Sequence, residues 1–213
     1  MRVSHYFPGA GAIGMADNRS DIQQTGHRAV HETKFEGMLI FDLNIFEDPR
    51  GRFTEVWQAE AMQPMGLPAL EPKQLGIAHS KKGTIRAIHA EPYDKVVHVV
   101  RGRVFCAMVD FRAGSNTFGQ VETFELTPSQ MLFIPKGVGN GVQAISDEDV
   151  DYVYCVTGVW SADKAYSGQY LAVNFADQDL NIQWPIGKGG WIVSLKDQQN
   201  PTMREVFPEK YNG

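Results

Sequence analysis

The segment Arg86-Ala87-Ile88-His89-Ala90-Glu91-Pro92-Tyr93-Asp94-Lys95 carries a guanidinium, an imidazole, two carboxylates and an ammonium within ten positions. Three readings fit such a set: a transition-metal centre, a metal-free acid–base site, or an ordinary charged strand end. A strand-borne metal centre of the His-x-His type needs a second imidazole two positions on and a third after a Pro-x-Gly turn. Here those positions read His89-Ala90-Glu91 and, after Pro135-Lys136-Gly137, Asn140. Two imidazoles are absent, and neutral imidazole is what lets such a site hold a divalent transition metal. No metal is expected, which leaves His89 as a satisfied strand residue or as a general base.

Other chemistry-bearing residues are ambiguous on spacing alone. Asp197, in Val193-Ser194-Leu195-Lys196-Asp197, lies in a polar segment that reads as solvated. Tyr154, within an apolar run, reads as core. Lys95, after Pro-Tyr-Asp, reads as an exposed strand-end lysine.

The elements that must position these groups are strands. Runs of four to nine β-branched and aromatic residues recur between Gly, Pro, Asn and Asp. They begin at MLIFDLNIF (38–46) and RFTEVWQ (52–58), continue through TIRAIHA, KVVHVV and RVFCAMVDF, and end with QVETFELT, MLFIP, GVQAIS and VDYVYCVTGVW (150–160). This pattern predicts an all-β, double-sheet jelly roll, a cupin-like β-sandwich. Helical signals are confined to AEAMQPMG (59–66) and MREVF (203–207). Residues 1–36 are polar and aperiodic and read as an N-terminal extension, partly disordered or packed on a partner. The expected catalytic domain covers 37–187, and a short tail, 188–213, completes the site.

A chain of 213 residues suits one domain with a real core. Lys and Arg number 20 against 25 Asp and Glu, a net charge of −5 that gives no reason to expect a nucleic-acid partner. No apolar run approaches the ~20 residues needed to cross a bilayer, so no membrane association is expected. Cys106 and Cys155 lie in strand-like runs and read as free core cysteines of a reducing cytoplasm.

Eight blocks occur in a recognisable order: DPRGRFTEV (48–56), IRAIH (85–89), KVVHVVRGRVF (95–105), VDFRAGSNTFG (109–119), FIPKGVGNG (133–141), YVYCVTGVW (152–160), DQDLNIQWP (177–185) and VSLKD (193–197). Over about residues 37–205 the chain resembles the dTDP-4-dehydrorhamnose 3,5-epimerase family, with VDFRAGSNTFG the most specific block. The resemblance implies a homodimeric jelly-roll isomerase that needs no cofactor and inverts C3, C5 or both of a nucleotide-diphosphate 4-keto-6-deoxyhexose. It implies His89 as base, Asp197 as the carboxylate that orients it, Tyr154 as acid and Lys95 as the enolate's cation. Substrate contacts are implied for Arg50, Phe53 and Glu55, which in known members act across the dimer, and for Gln74, Arg86, Asn140 and Trp160.

The chemistry of such a set is coherent in itself. A ketone at C4 acidifies the protons on C3 and C5, and an imidazole whose tautomer is fixed by a carboxylate can remove one. An ammonium can stabilise the resulting enolate, and a phenol on the opposite face can return a proton with inversion. The chain departs from the family in four ways. Asn140 stands where the family has a second His, and Cys106 where it has that His's Asp partner. Gln74-Leu75-Gly76 replaces Gln-x-Asn, and the loop from His89 to Lys95 is shorter, with Trp160 in place of a Tyr. Two other functions remain open at this level: a sugar-nucleotide 3,4-ketoisomerase using the same enolate, and a non-catalytic nucleotide-sugar-binding jelly roll.

Overall fold

The computed structural model of the chain describes residues 22–161 and 170–211. Its fifteen strands are β1 (Gln23–Gly26), β2 (Ala29–Glu32), β3 (Leu39–Asp42), β4 (Asn44–Asp48), β5 (Gly51–Glu55), β6 (Gln74–Ser80), β7 (Thr84–Ala90), β8 (Lys95–Arg101), β9 (Val104–Asp110), β10 (Val121–Leu126), β11 (Gln130–Ile134), β12 (Val138–Ala144), β13 (Val150–Val156), β14 (Leu171–Ala172) and β15 (Ile192–Val193). Among the described residues three single-turn α-helices accompany them: α1 (Ala59–Met62), α2 (Leu195–Gln198) and α3 (Met203–Val206).

Two large sheets face one another in a double-sheet jelly roll. One has the order β2-β3-β11-β8-β13-β6; the other runs β10-β9-β12-β7-β14, with β15 parallel to β7. A small third sheet, β1-β4-β5, stands beside them. Strand alternation sorts the core. On β9, Cys106 and Met108 point into the layer between the large sheets, with Val97, Val99, Leu132 and Val142. Their neighbours Ala107 and Val109 face outward, where Phe175, Leu180, Trp184 and Met203 of the C-terminal region cover them. The tail is thus a structural layer over the sheet that carries His89.

The boundary expected at residue 37 falls inside the folded unit. Strand β2 pairs with β3, and Phe35 is fully buried between the large sheets. Burial of one such side chain contributes about 1.5–3 kcal/mol, which ties the segment down. Only residues 1–21 of the expected extension lie outside the described residues.

Strand β6 does not show the strand pattern in its sequence, and its composition explains why. Its cavity side carries Gly76 and Ala78, whereas Leu75 and Ile77 face solvent at 68% and 69% exposure. A half-buried strand normally shows the reverse alternation.

One irregularity governs the site. On β12, Asn140 pairs with His89 and Val142 pairs with Arg86, so Ala87 and Ile88 together oppose the single Gly141. This β-bulge turns Ala87 and Ile88 both to the outer core and brings Arg86 and His89 to the same face. Gly141 permits it: a Cβ there would lie 2.5 Å from Ile88 Cδ1 and 2.6 Å from Ala87 Cβ.

Candidate active site

The facing sheets enclose a cavity of about 600 Å³. From the β7 sheet, Arg86, His89 and Asn140 reach it; from the opposing sheet come Lys95 and Tyr154. The parallel pairing of β15 with β7 draws the tail along β7 and delivers α2 beside the cavity. Ser194 caps α2 by accepting from the Asp197 amide at 3.0 Å, fixing the turn on which Asp197 sits.

His89 Nε2 lies 2.7 Å from Asp197 Oδ1. A carboxylate only accepts, so the neutral ring carries its proton on Nε2 and its lone pair on Nδ1. No protein group among the described residues bonds Nδ1. Asp197 is not the solvated residue its polar segment suggested: it is 5% exposed. Burial pushes its carboxyl up, but hydrogen bonds with His89, Ser194 and the Ala87 backbone outweigh burial and hold it below the usual carboxylate range. The dyad therefore has the form of a general base with its orienting partner.

Tyr154 lies across from His89 on β13, where Gly76 of β6 makes room for its ring. A Cβ at residue 76 would come within 2.5 Å of the Tyr154 ring and 2.6 Å of its hydroxyl. Lys95, buried at the head of β8, gives one hydrogen bond to Glu91 Oε1 at 2.5 Å and another to Asn140 Oδ1 at 2.9 Å. It is not the exposed strand-end lysine that its local sequence suggests.

Arg86 and Trp160 line the cavity, with Arg86 Nε held by Ser80 Oγ at 3.1 Å. Gln74 is not among the lining residues. Its side-chain amide accepts from Trp160 N at 2.6 Å and donates to Trp160 O at 3.3 Å, so it fastens the segment bearing Trp160. Arg50, Phe53 and Glu55 are not brought to this cavity either, because β5 belongs to the small separate sheet. Arg50 is tied to Asp48, Phe53 is exposed and stacked on Phe46, and Glu55 contacts Arg28 and Asn44.

The sequence reading left several lining residues without a role. Glu91 is the partner of Lys95, an i,i+4 pair that a turn rather than a helix brings together. Tyr93 and Tyr170 meet edge to face at 6.1 Å on the cavity wall, and Tyr93 packs where a Cβ on Gly158 would lie 2.0 Å from its ring. Burial, then the Tyr170 hydroxyl and the Glu91 charge, push the Tyr93 phenol up. Asp94 holds the turn instead, accepting from the Lys136 amide at 2.9 Å. Cys106 lies in the inter-sheet core, where burial pushes its thiol up, and Asn140 finds its partner in Lys95. Among the described residues, no group of three His, Cys, Asp or Glu side chains is placed to hold a metal ion.

Comparison with known proteins places the chain in a family. The family model for dTDP-4-dehydrorhamnose 3,5-epimerase matches residues 32–205. An RmlC homolog of Streptococcus pyogenes serotype M6 is 38% identical over 179 residues, covering 82% of this chain and 88% of that protein. A dTDP-4-dehydrorhamnose 3-epimerase of Streptomyces niveus is 32% identical over 166 residues, covering 75% and 76% of the two chains. The solved structure of RmlC from Streptococcus suis in complex with dTDP-D-xylose superimposes with a TM-score of 0.77 at 35% identity, over 84% of this chain and 93% of that one. The match reaches from β2 through the tail that carries Asp197, so it takes in both halves of the dyad as well as the two sheets that enclose them. The chain belongs to the dTDP-4-dehydrorhamnose 3,5-epimerase family.

Proposed function

We propose that this protein epimerises a nucleotide-diphosphate 4-keto-6-deoxyhexose at C3, C5 or both, by proton transfer through an enolate. The observation that carries the reading is a His–Asp dyad with a buried carboxylate on one side of the cavity, facing a phenol from the opposing sheet. His89 Nδ1 takes the proton from the carbon beside the ketone. The C–H electron pair becomes the C=C bond, and the carbonyl π pair moves onto O4. Tyr154 then delivers its hydroxyl proton to the opposite face of that carbon, and the π pair returns to the carbonyl. Exchange with solvent resets both groups, giving up the proton on His89 and restoring the one on Tyr154. Two positioned proton-transfer groups commonly supply roughly 10²–10⁴-fold each. Arg86, a planar donor of the kind that pairs with two phosphate oxygens, suits the diphosphate.

The test is proton exchange. In deuterium oxide with dTDP-4-keto-6-deoxyglucose, the protein should incorporate deuterium at C3, C5 or both, while NMR shows the ketone still at C4. A ketone moved to C3 would make the enzyme an isomerase of the carbonyl position. Nucleotide binding without any exchange would make it a binding module.

The assembly suited to this function is a homodimer in the cytoplasm. Strand β6 is a sheet edge whose Leu75 and Ile77 are exposed, the kind of apolar edge that proteins cover. A partner docked there would allow Arg50, Phe53 and Glu55 to serve the neighbouring cavity. A monomer at micromolar concentration in light scattering would remove this part of the reading.

A further inference from the structure

The geometry at the cavity floor points to a role for Asn140 that rests on the epimerase reading and goes beyond it. An ammonium has three donors, and Lys95 uses two of them on Glu91 and Asn140. One Lys95 N–H remains for a ligand. Because the Asn140 side chain must turn its oxygen toward the ammonium, its amide nitrogen is directed away from Lys95. That nitrogen has no protein acceptor among the described residues, although Asn140 is largely buried and lines the cavity. Lys95 comes from β8 and Asn140 from β12, so the bond between them joins the two facing sheets and holds both donors in register.

We propose that Asn140 is a catalytic donor: its Nδ2–H and the remaining Lys95 N–H form a two-donor site for the enolate oxygen. The arrangement fits the charge that develops. Glu91 anchors Lys95 and offsets part of its charge, so directed hydrogen bonds meet the oxyanion rather than an unpaired cation. Donors fixed before the reaction stabilise a developing oxyanion more than a ground-state carbonyl, because no reorganisation is required when the charge appears. Asn140 does not titrate, so this contribution is the same at any pH at which the protein is folded.

The experiment compares Asn140→Ala and Asn140→Asp with wild type, using dTDP-4-keto-6-deoxyglucose and reading deuterium incorporation, kcat and KM, with thermal unfolding to establish that each variant is folded. Asn140→Asp is nearly isosteric but replaces the donor with a carboxylate that accepts from Lys95 and repels the enolate. Loss of one oxyanion donor predicts a fall in kcat of about 10²–10³-fold for Asn140→Ala with little change in KM. The Asp variant should fall further. If the Asp variant does not fold, the Ala variant carries the same comparison. Exchange in wild type with kcat retained in the folded variants would overturn the role of Asn140 and leave the epimerase reading intact. Absence of exchange in wild type would overturn both.

Discussion

Asp110 and Asp197 are two buried carboxylates with opposite assignments. Burial pushes both upward, and in both cases hydrogen bonding outweighs it and holds the group below the usual carboxylate range. Asp110 is enclosed. It accepts from Arg112 N, Nε and Nη2 at 3.0, 2.9 and 2.8 Å, and from the Ser115 and Thr117 hydroxyls at 2.6 Å each. Its donors are other protein groups held within one turn, so it has nothing to offer a substrate. Asp197 instead bonds an imidazole whose other nitrogen has no protein partner among the described residues and lies beside a cavity. Depressed acidity therefore does not distinguish the two carboxylates; they differ in what their donors leave open. VDFRAGSNTFG forms the cage around Asp110 and contributes no side chain to the cavity.

Substitution at each aspartate should separate activity from stability. Asp197→Asn leaves a hydrogen-bonding group beside His89 but can fix the wrong tautomer and cannot stabilise the imidazolium. Deuterium exchange should fall by about 10²–10⁴-fold, with a small change in melting temperature. Comparable loss of exchange in Asp110→Asn per folded molecule would break the comparison. For Asp110→Asn the expected effect is on folding, a loss of about 3–5 kcal/mol because the Arg112 charge loses its partner. Urea denaturation measures it, and exchange by the folded fraction should be retained.

Gly141→Ala sharpens the contrast on the dyad's side. Overpacking against Ala87 and Ile88 should cost about 1–3 kcal/mol. Any relaxation of the bulge would also turn His89 from the cavity, so activity should fall more than stability. The smallest effect concerns pH. A carboxyl depressed in the folded state stabilises above its unfolded pKa, and that stability is lost as pH falls below about 4 toward the folded-state value. Both aspartates contribute with this sign. Removing Asp110 should flatten the acid limb of a stability–pH curve more than removing Asp197, which has fewer donors to lose.

How much of this was legible in the sequence follows the range of the interactions. The cage spans two to seven positions from Asp110, and its residues stand together as a motif. Most strands of the large sheets were readable because β-branched runs alternate between turn residues. Strand β6 was not, because its small residues face a cavity and its large ones face outward. His89 stood out in its own segment, whereas Asp197, Tyr154 and Lys95 looked ordinary in theirs and were singled out only through the family resemblance. Gln74, expected at the ligand, holds the Trp160 backbone, a bond across 86 positions.

The sequence by itself determined the fold class, the family and the chemical identities available to the site, because local alternation, turn residues and ordered blocks are short-range properties. Tertiary structure decided which of those groups meet. His89 and Asp197 are 108 positions apart and lie 2.7 Å apart with the tail held along the sheet by the pairing of β15 with β7 and by Asn174. Strict two-residue alternation would place Arg86 and His89 on opposite faces of β7; a bulge set by the lack of a side chain on Gly141, in another strand, puts them on one. Lys95 became a buried donor because Glu91, just past the end of β7, and Asn140, within β12, accept two of its three N–H groups. Such outcomes depend on packing between distant segments, which no single segment encodes.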